Sequence, residues 1–152
     1  MKEKKMDMLN KMKELVRNQS VCVLATVSGG HPHCSLMSYA ADGDCRELYM
    51  VTFRNTKKYR NLTENPSVSL LIDSRDVDRG AKRHQARALT VTGLFGGVGD
   101  RQKQDAMKAQ LLERHPHLKD LADDPDAEFF TVRIKSMQLL EGVAESSFVT
   151  VD

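Results

Sequence analysis

Between Arg54 and Arg60 the chain reads RNTKKYR, with cations at Arg54, Lys57, Lys58 and Arg60 and no acid among them. A residue such as Thr56 caps a helix with its hydroxyl, which puts Lys57 and Lys58 in the first helical turn. Cations there oppose the helix macrodipole, at about 0.3–1 kcal/mol each when exposed. A bound anion reverses that sign, because amide N–H groups, a threonine hydroxyl and two ammonium groups would converge on it. The chemistry this suits is phosphate binding. Two lysines on a solvated helix face carry no such meaning, and these residues alone leave both readings standing.

The elements around them are short. Leu62 gives the helix an inward anchor, and Asn65-Pro66 stops it, since the residue before a proline is pushed out of helical geometry. Residues 48–53 and 67–72 are apolar and β-branched runs that read as the flanking strands. In residues 33–41, alternation sends His33, Ser35, Met37 and Tyr39 to one face and Cys34, Leu36, Ser38 and Ala40 to the other. Neither is a clean core face. Small polar groups on both sides suit a flat ligand, and they suit an ordinary edge strand equally well.

Taken together, Thr52, Thr56-Lys57-Lys58, Asn61-Leu62, Asn65-Pro66 and Val68-Ser69-Leu70, preceded by Ala25-Thr26-Val27 and Gly30-His31-Pro32-His33, resemble the pyridoxamine 5'-phosphate oxidase-like family of FMN-binding split β-barrels. The similarity covers roughly residues 20–93, with a weaker echo at 129–142. It implies a homodimer with FMN at the subunit interface. Thr56, Lys57 and Lys58 would hold the phosphate, Ser35, Leu36, Met37, Ser38 and Tyr39 would support the ring, and Thr52 would meet the ring and its ribityl chain.

Departures from the family pattern narrow the activity. Oxidases of pyridoxine phosphate carry an R-x-x-x-x-K strand where this chain has Cys34 and Tyr39, and a C-terminal R-x-H that residues 142–152 lack. A glutamine of that group is replaced by Ala88. The resemblance therefore implies an FMN-dependent oxidoreductase or electron carrier acting on a small molecule or reductant, and not oxidation of a vitamin B6 phosphate. Two alternatives stay open: a heme-binding or heme-degrading protein on the same fold, with His31 or His33 at the iron, and a dimer that only stores or senses flavin. No catalytic acid, base or nucleophile declares itself, and no metal site is expected.

Length and composition agree with a single domain over residues 1–152. With 40% apolar and 29% charged residues and no apolar run near the roughly 18 residues of a membrane span, the chain reads as a globular protein without membrane contact. Its charged start runs into a polar helix rather than an apolar leader, which implies a cytoplasmic location. Cys22, Cys34 and Cys45 show no C-x-x-C spacing, and Cys22 and Cys34 read as small core residues. A net charge of +2, no Trp and 5% aromatics argue against a nucleic-acid interface.

In chain order, residues 2–17 carry Met8, Leu9, Met12, Leu15 and Val16 on one stripe and predict an amphipathic helix across a barrel end. Residues 21–27 are nearly all apolar, which predicts a strand buried on both sides, and Ser28-Gly29-Gly30 predicts a hairpin turn. Residues 74–85 are charged and predict an exposed loop whose arginines could cover a phosphate or acidic substrate of a partner subunit. Residues 86–95 predict a strand. Gly96, Gly97 and Gly99 do not meet the G-x-G-x-x-G spacing of a nucleotide loop, and Asp100 caps a helix to about Arg114. Residues 128–135 predict a half-buried strand with 137–140 paired beside it, and the tail, 143–152, stays unassigned. The sum is a mainly β (α+β) chain: a six- or seven-stranded antiparallel split β-barrel with N-terminal, short central and C-terminal-half helices.

Overall fold

The computed structural model describes residues 1–142 and 145–151, with the backbone alone at positions 81 and 83. Helix α1 (Lys2–Asn18) buries Met12, Leu15 and Val16, the inner part of its apolar stripe. Strands β1 (Val21–Ser28) and β2 (His31–Ser38) form the hairpin, and Gly29 and Gly30 turn it with φ of 56° and 79°, a pair of left-handed positions that favours glycine. There follow β3 (Ala40–Ala41), β4 (Glu47–Phe53), α2 (Lys57–Glu64), β5 (Ser67–Asp73) and β6 (Arg87–Gly97). Helices α3 (Arg101–Arg114) and α4 (Lys119–Asp123) precede β7 (Ala127–Glu141) and β8 (Glu145–Thr150). The mainly β split barrel is thus present. Its extra pieces, β3 and α4, are too short to show a period in the sequence. Among the described residues no helix is long and apolar enough to cross a membrane.

All pairings are antiparallel, in the order β2-β1-β5-β6-β7-β4-β3, with β8 beside β7. Strands β2 and β3 end that order on opposite sides, yet only Tyr39 separates them in the chain. The sheet must therefore curl until its two sides meet. Tyr39 fastens the closure, donating its N–H to the Ser20 carbonyl at 2.9 Å and its hydroxyl to the Val16 carbonyl at 2.6 Å. Inside the curl, Leu24, Met50, Leu70, Leu89, Val91, Phe130 and Val132 fill the core, so a flavin-sized ligand has to bind outside it.

A second, smaller core lies outside β4, where Tyr49 and Val51 meet Met107 and Leu111 of α3, Ala122 of α4, and Phe129. It corrects the expectation for β1. The strand buried on both faces is β4, because α3 and α4 cover its outer side, whereas β1 buries Cys22, Leu24 and Thr26 and leaves Val21 42% exposed. Cys34 is corrected as well: it lies exposed on β2, while Cys22 and Cys45 are buried.

The predicted break between 135 and 137 is a bulge within one strand. β7 runs unbroken for 15 residues, and its register against β6 shifts between Thr92 and Gly93, so that the pairing passes over Lys135 and Ile134 and Met137 both point inward. Gly93 is required at that point, since a Cβ would sit 2.6 Å from the Val132 Cγ1 and 2.8 Å from the Arg133 carbonyl oxygen. The neighbour expected from 137–140 is supplied instead by β8, from the unassigned tail; residues 143, 144 and 152 of that tail lie outside the described residues.

Candidate functional site

Thr56 caps α2 as the sequence suggests, its hydroxyl accepting from the Tyr59 N–H at 3.2 Å. The same hydroxyl donates to the Phe53 carbonyl at 3.0 Å, which ties the helix start to the end of β4. Its one proton is thereby engaged, so Thr56 shapes the turn rather than offering a donor to a ligand. Leu62 is fully buried, and beside it Asn61 donates its side-chain amide to the Thr26 hydroxyl at 3.1 Å. Asn65-Pro66 ends the helix, with the Asn65 N–H on the Asn61 carbonyl at 2.8 Å. Tyr59 packs edge-on to Phe95, and Phe95 against Phe130, joining the helix to the barrel core.

The first turn of α2 holds no acid. Lys57 is exposed, and no hydrogen bond or ion pair among the described residues engages its ammonium group. Lys58 folds back over β2, half-buried, with Nζ 3.0 Å from the Met37 sulfur. Burial holds its pKa below the usual lysine range, and no carboxylate offsets that loss of hydration. Arg54 differs: its Nε meets Glu128 Oε1 at 2.8 Å and its Nη1 lies 3.9 Å from Asp126, so it is neutralised across the β4–β7 ladder. The uncompensated cations at this helix start are therefore Lys57 and Lys58, with Arg60 exposed one residue beyond Tyr59.

Lys58 and Met37 bring the helix start and β2 into one place. Ser35 shares the face of Met37 and is half-buried, whereas Leu36 faces outward, 75% exposed, with half-buried Ser38 on the same face. Thr52 is buried on the inward face of β4, in step with Leu48 and Met50. Tyr39 has no free polar group to offer a ligand. Its side chain is wholly buried, its N–H and hydroxyl close the barrel, and its carbonyl lies 2.9 Å from His115 Nε2. Among the sequence-predicted contacts it is a core residue, and the alternation that exposed the pattern could not show which face was sealed.

The histidines divide in the same way. His31 is exposed and His33 half-buried at the open end of β2, while His115 is buried under α3 with its ring edge-on to His117. Among the described residues no group of three or more His, Cys, Asp or Glu side chains is placed to hold a metal ion. The pair that sequence reasoning missed is Asn61 with Thr26; its signal was a polar residue beside Leu62 on the buried side of a very short helix.

A filled antiparallel barrel closed through one residue, with a cationic helix start packed against its hairpin, defines a split-barrel protein whose interior is taken up by its own side chains. The family model described as pyridoxamine 5'-phosphate oxidase matches residues 8–141, and the chain belongs to that family. Among solved structures it is similar to a heme binding protein from Mycobacterium smegmatis, with a TM-score of 0.81 at 18% identity over 92% of this chain. The chain spans 56% of that protein's length. It is also similar to HutZ, the heme storage protein from Vibrio cholerae, with a TM-score of 0.72 at 20% identity over 88% of this chain and 93% of the other. A FAD-binding protein from Mesorhizobium loti superposes with a TM-score of 0.69 at 19% identity, over 86% of this chain and 91% of the other. No curated protein matches the chain at a significant level.

Proposed function

We propose that the protein is a cytoplasmic FMN-binding flavoprotein that acts as a homodimer, as an oxidoreductase or electron carrier for a small molecule. The observation that carries this reading is the uncompensated pair Lys57 and Lys58 at the start of α2, one exposed and one desolvated, with no acid in the first turn. A phosphate dianion would fit them. It would meet two ammonium groups and the first amide N–H groups of the helix, and it would offset the hydration that Lys58 has lost. Bound there, FMN supplies the hydride and electron chemistry. The chain's part is to hold the phosphate through Lys57 and Lys58 and to present β2, with Ser35 and Ser38, as one wall for the ring.

A second copy supplies the other wall in this reading. Val21, Val23, Cys34 and Leu36 share the outer face of β1 and β2, half-buried or exposed, with Asp73, Arg75 and Asp76 at the edge of that stretch. An apolar sheet face of this kind suits a twofold contact.

The competing reading is heme binding, supported by the named ligands of two similar structures and by the exposed His31. The visible spectrum of the purified protein, before and after adding FMN or heme, separates them. Flavin bands, sharpened and red-shifted from free FMN, support the proposal. A Soret band with no perturbation of FMN contradicts it.

A further inference from the structure

Lys58 is held unlike an ordinary surface lysine. Its side chain is half-buried over β2, with Nζ 3.0 Å from the sulfur of Met37, which is itself only 5% exposed. A thioether is a weak acceptor, so this contact replaces little of the hydration that the amine has lost.

The charged groups nearby are cations or are already engaged. Lys57 precedes Lys58 and Arg60 follows two residues on, both exposed. Arg54 is paired with Glu128, and at the far end of α2 Glu64 accepts from the Ser28 hydroxyl. On β2, the face that Met37 occupies continues through Ser35 and His33 and holds no acid. Burial therefore favours the neutral amine, and the Lys58 pKa lies below the usual lysine range. A neutral amine is a nucleophile, whereas an ammonium group has no lone pair to offer.

The neighbouring charge selects the electrophile. An acyl phosphate carries its reactive carbonyl directly beside an anionic phosphoryl group. Lys57, exposed and without an ion pair among the described residues, stands one residue away to take that anion.

We infer that Lys58 is an acylation site for acyl phosphates, with Lys57 receiving the phosphoryl group, and that acylation disables the anion site at the start of α2. Nζ attacks the acyl carbon, the bond from that carbon to the phosphate oxygen breaks, inorganic phosphate leaves, and the proton of the amine passes to solvent. The product is a neutral amide, which the half-buried position beside Met37 accommodates better than an ammonium group. One of the two uncompensated cations is then gone. The effect on flavin rests on the flavin reading; the acylation does not.

The test incubates the full-length, flavin-free protein with acetyl phosphate and follows each lysine by peptide mass mapping. Lys58 is acetylated about tenfold faster than Lys57 or the exposed Lys4 and Lys5, since each unit by which a lysine pKa falls raises its free amine about tenfold. Lys57→Ala slows the reaction of Lys58 with acetyl phosphate about tenfold, as the loss of a charge-assisted contact does, and leaves its reaction with neutral 4-nitrophenyl acetate unchanged. Once Lys58 is fully acetylated, FMN binds about tenfold more weakly. Three results overturn the inference: acetylation of Lys58 no faster than that of Lys4 and Lys5, a wild-type rate with acetyl phosphate in Lys57→Ala, or undiminished FMN affinity after acetylation. A chain that is acetylated at Lys58 in this way but binds no FMN even before treatment contradicts the flavin reading alone.

Discussion

The Asn61 side-chain amide donates to the Thr26 hydroxyl at 3.1 Å with both residues almost sealed from solvent, and this bond seats α2 on the barrel wall. Asn61→Ala removes the donor and leaves a buried hydroxyl short of a partner, which costs about 1–3 kcal/mol. The expected result is a lower urea midpoint with an unchanged slope, together with weaker FMN binding, because the cationic helix start moves with its seat. An unshifted midpoint would show that the contact is incidental.

Lys58 titrates against its own burial. Its pKa in the folded chain lies below the ordinary value, so between that lowered value and 10.5 the unfolded chain holds a proton that the folded chain has released. Stability of the flavin-free protein therefore rises with pH through that window, and the penalty is fully present below it. Lys58→Met is expected to be more stable than the wild type at neutral pH, with the advantage shrinking as pH approaches 10.5. Thermal melts across pH 7–11 read this directly. In the FMN-bound wild type the phosphate partners the ammonium, and the advantage of the variant disappears.

At the β6–β7 bulge, Gly93 leaves no room for a methyl group between the Val132 side chain and the Arg133 backbone. One of those contacts is backbone and cannot rotate away. Gly93→Ala is expected to destabilise the fold by about 1–3 kcal/mol, seen as a loss of melting temperature, while Gly97→Ala, with open space around the added carbon, changes little.

The outer face of β2 carries Leu36, 75% exposed and opposite Val23 in the β1–β2 ladder. If a second copy covers it, Leu36→Glu places a charge in the contact and yields a folded monomer. Light scattering after size exclusion measures this, and FMN binding falls with the dimer because the second wall is gone. A wild-type chain that is monomeric at high micromolar concentration would remove the interface.

The barrel, the hairpin, the α2 cap and the helix from 101 were legible because each rests on local signals: alternation, paired glycines, a capping threonine and a capping aspartate. What escaped depends on contacts distant in sequence. Residues 21–27 and 47–53 are similarly apolar, and only the docking of α3 and α4 decides that β4 is covered twice and β1 once. Tyr39 reads as an exposed partner for a ring until the sheet closes on it through Val16 and Ser20. A bulge that inserts Lys135 looks like the end of a strand, because it breaks the period of two on which the reading depends. The lysines were visible; that Glu128 removes Arg54 from the cluster was not.

The account stands most directly on one titration, FMN into the wild type and into Lys57→Ala with Lys58→Ala, followed by flavin fluorescence and by circular dichroism. The wild type is expected to bind FMN, and the double variant to lose at least tenfold in affinity while keeping its fold and its oligomeric state. Equal retention of FMN by the folded double variant would contradict the assignment of these two lysines to the phosphate.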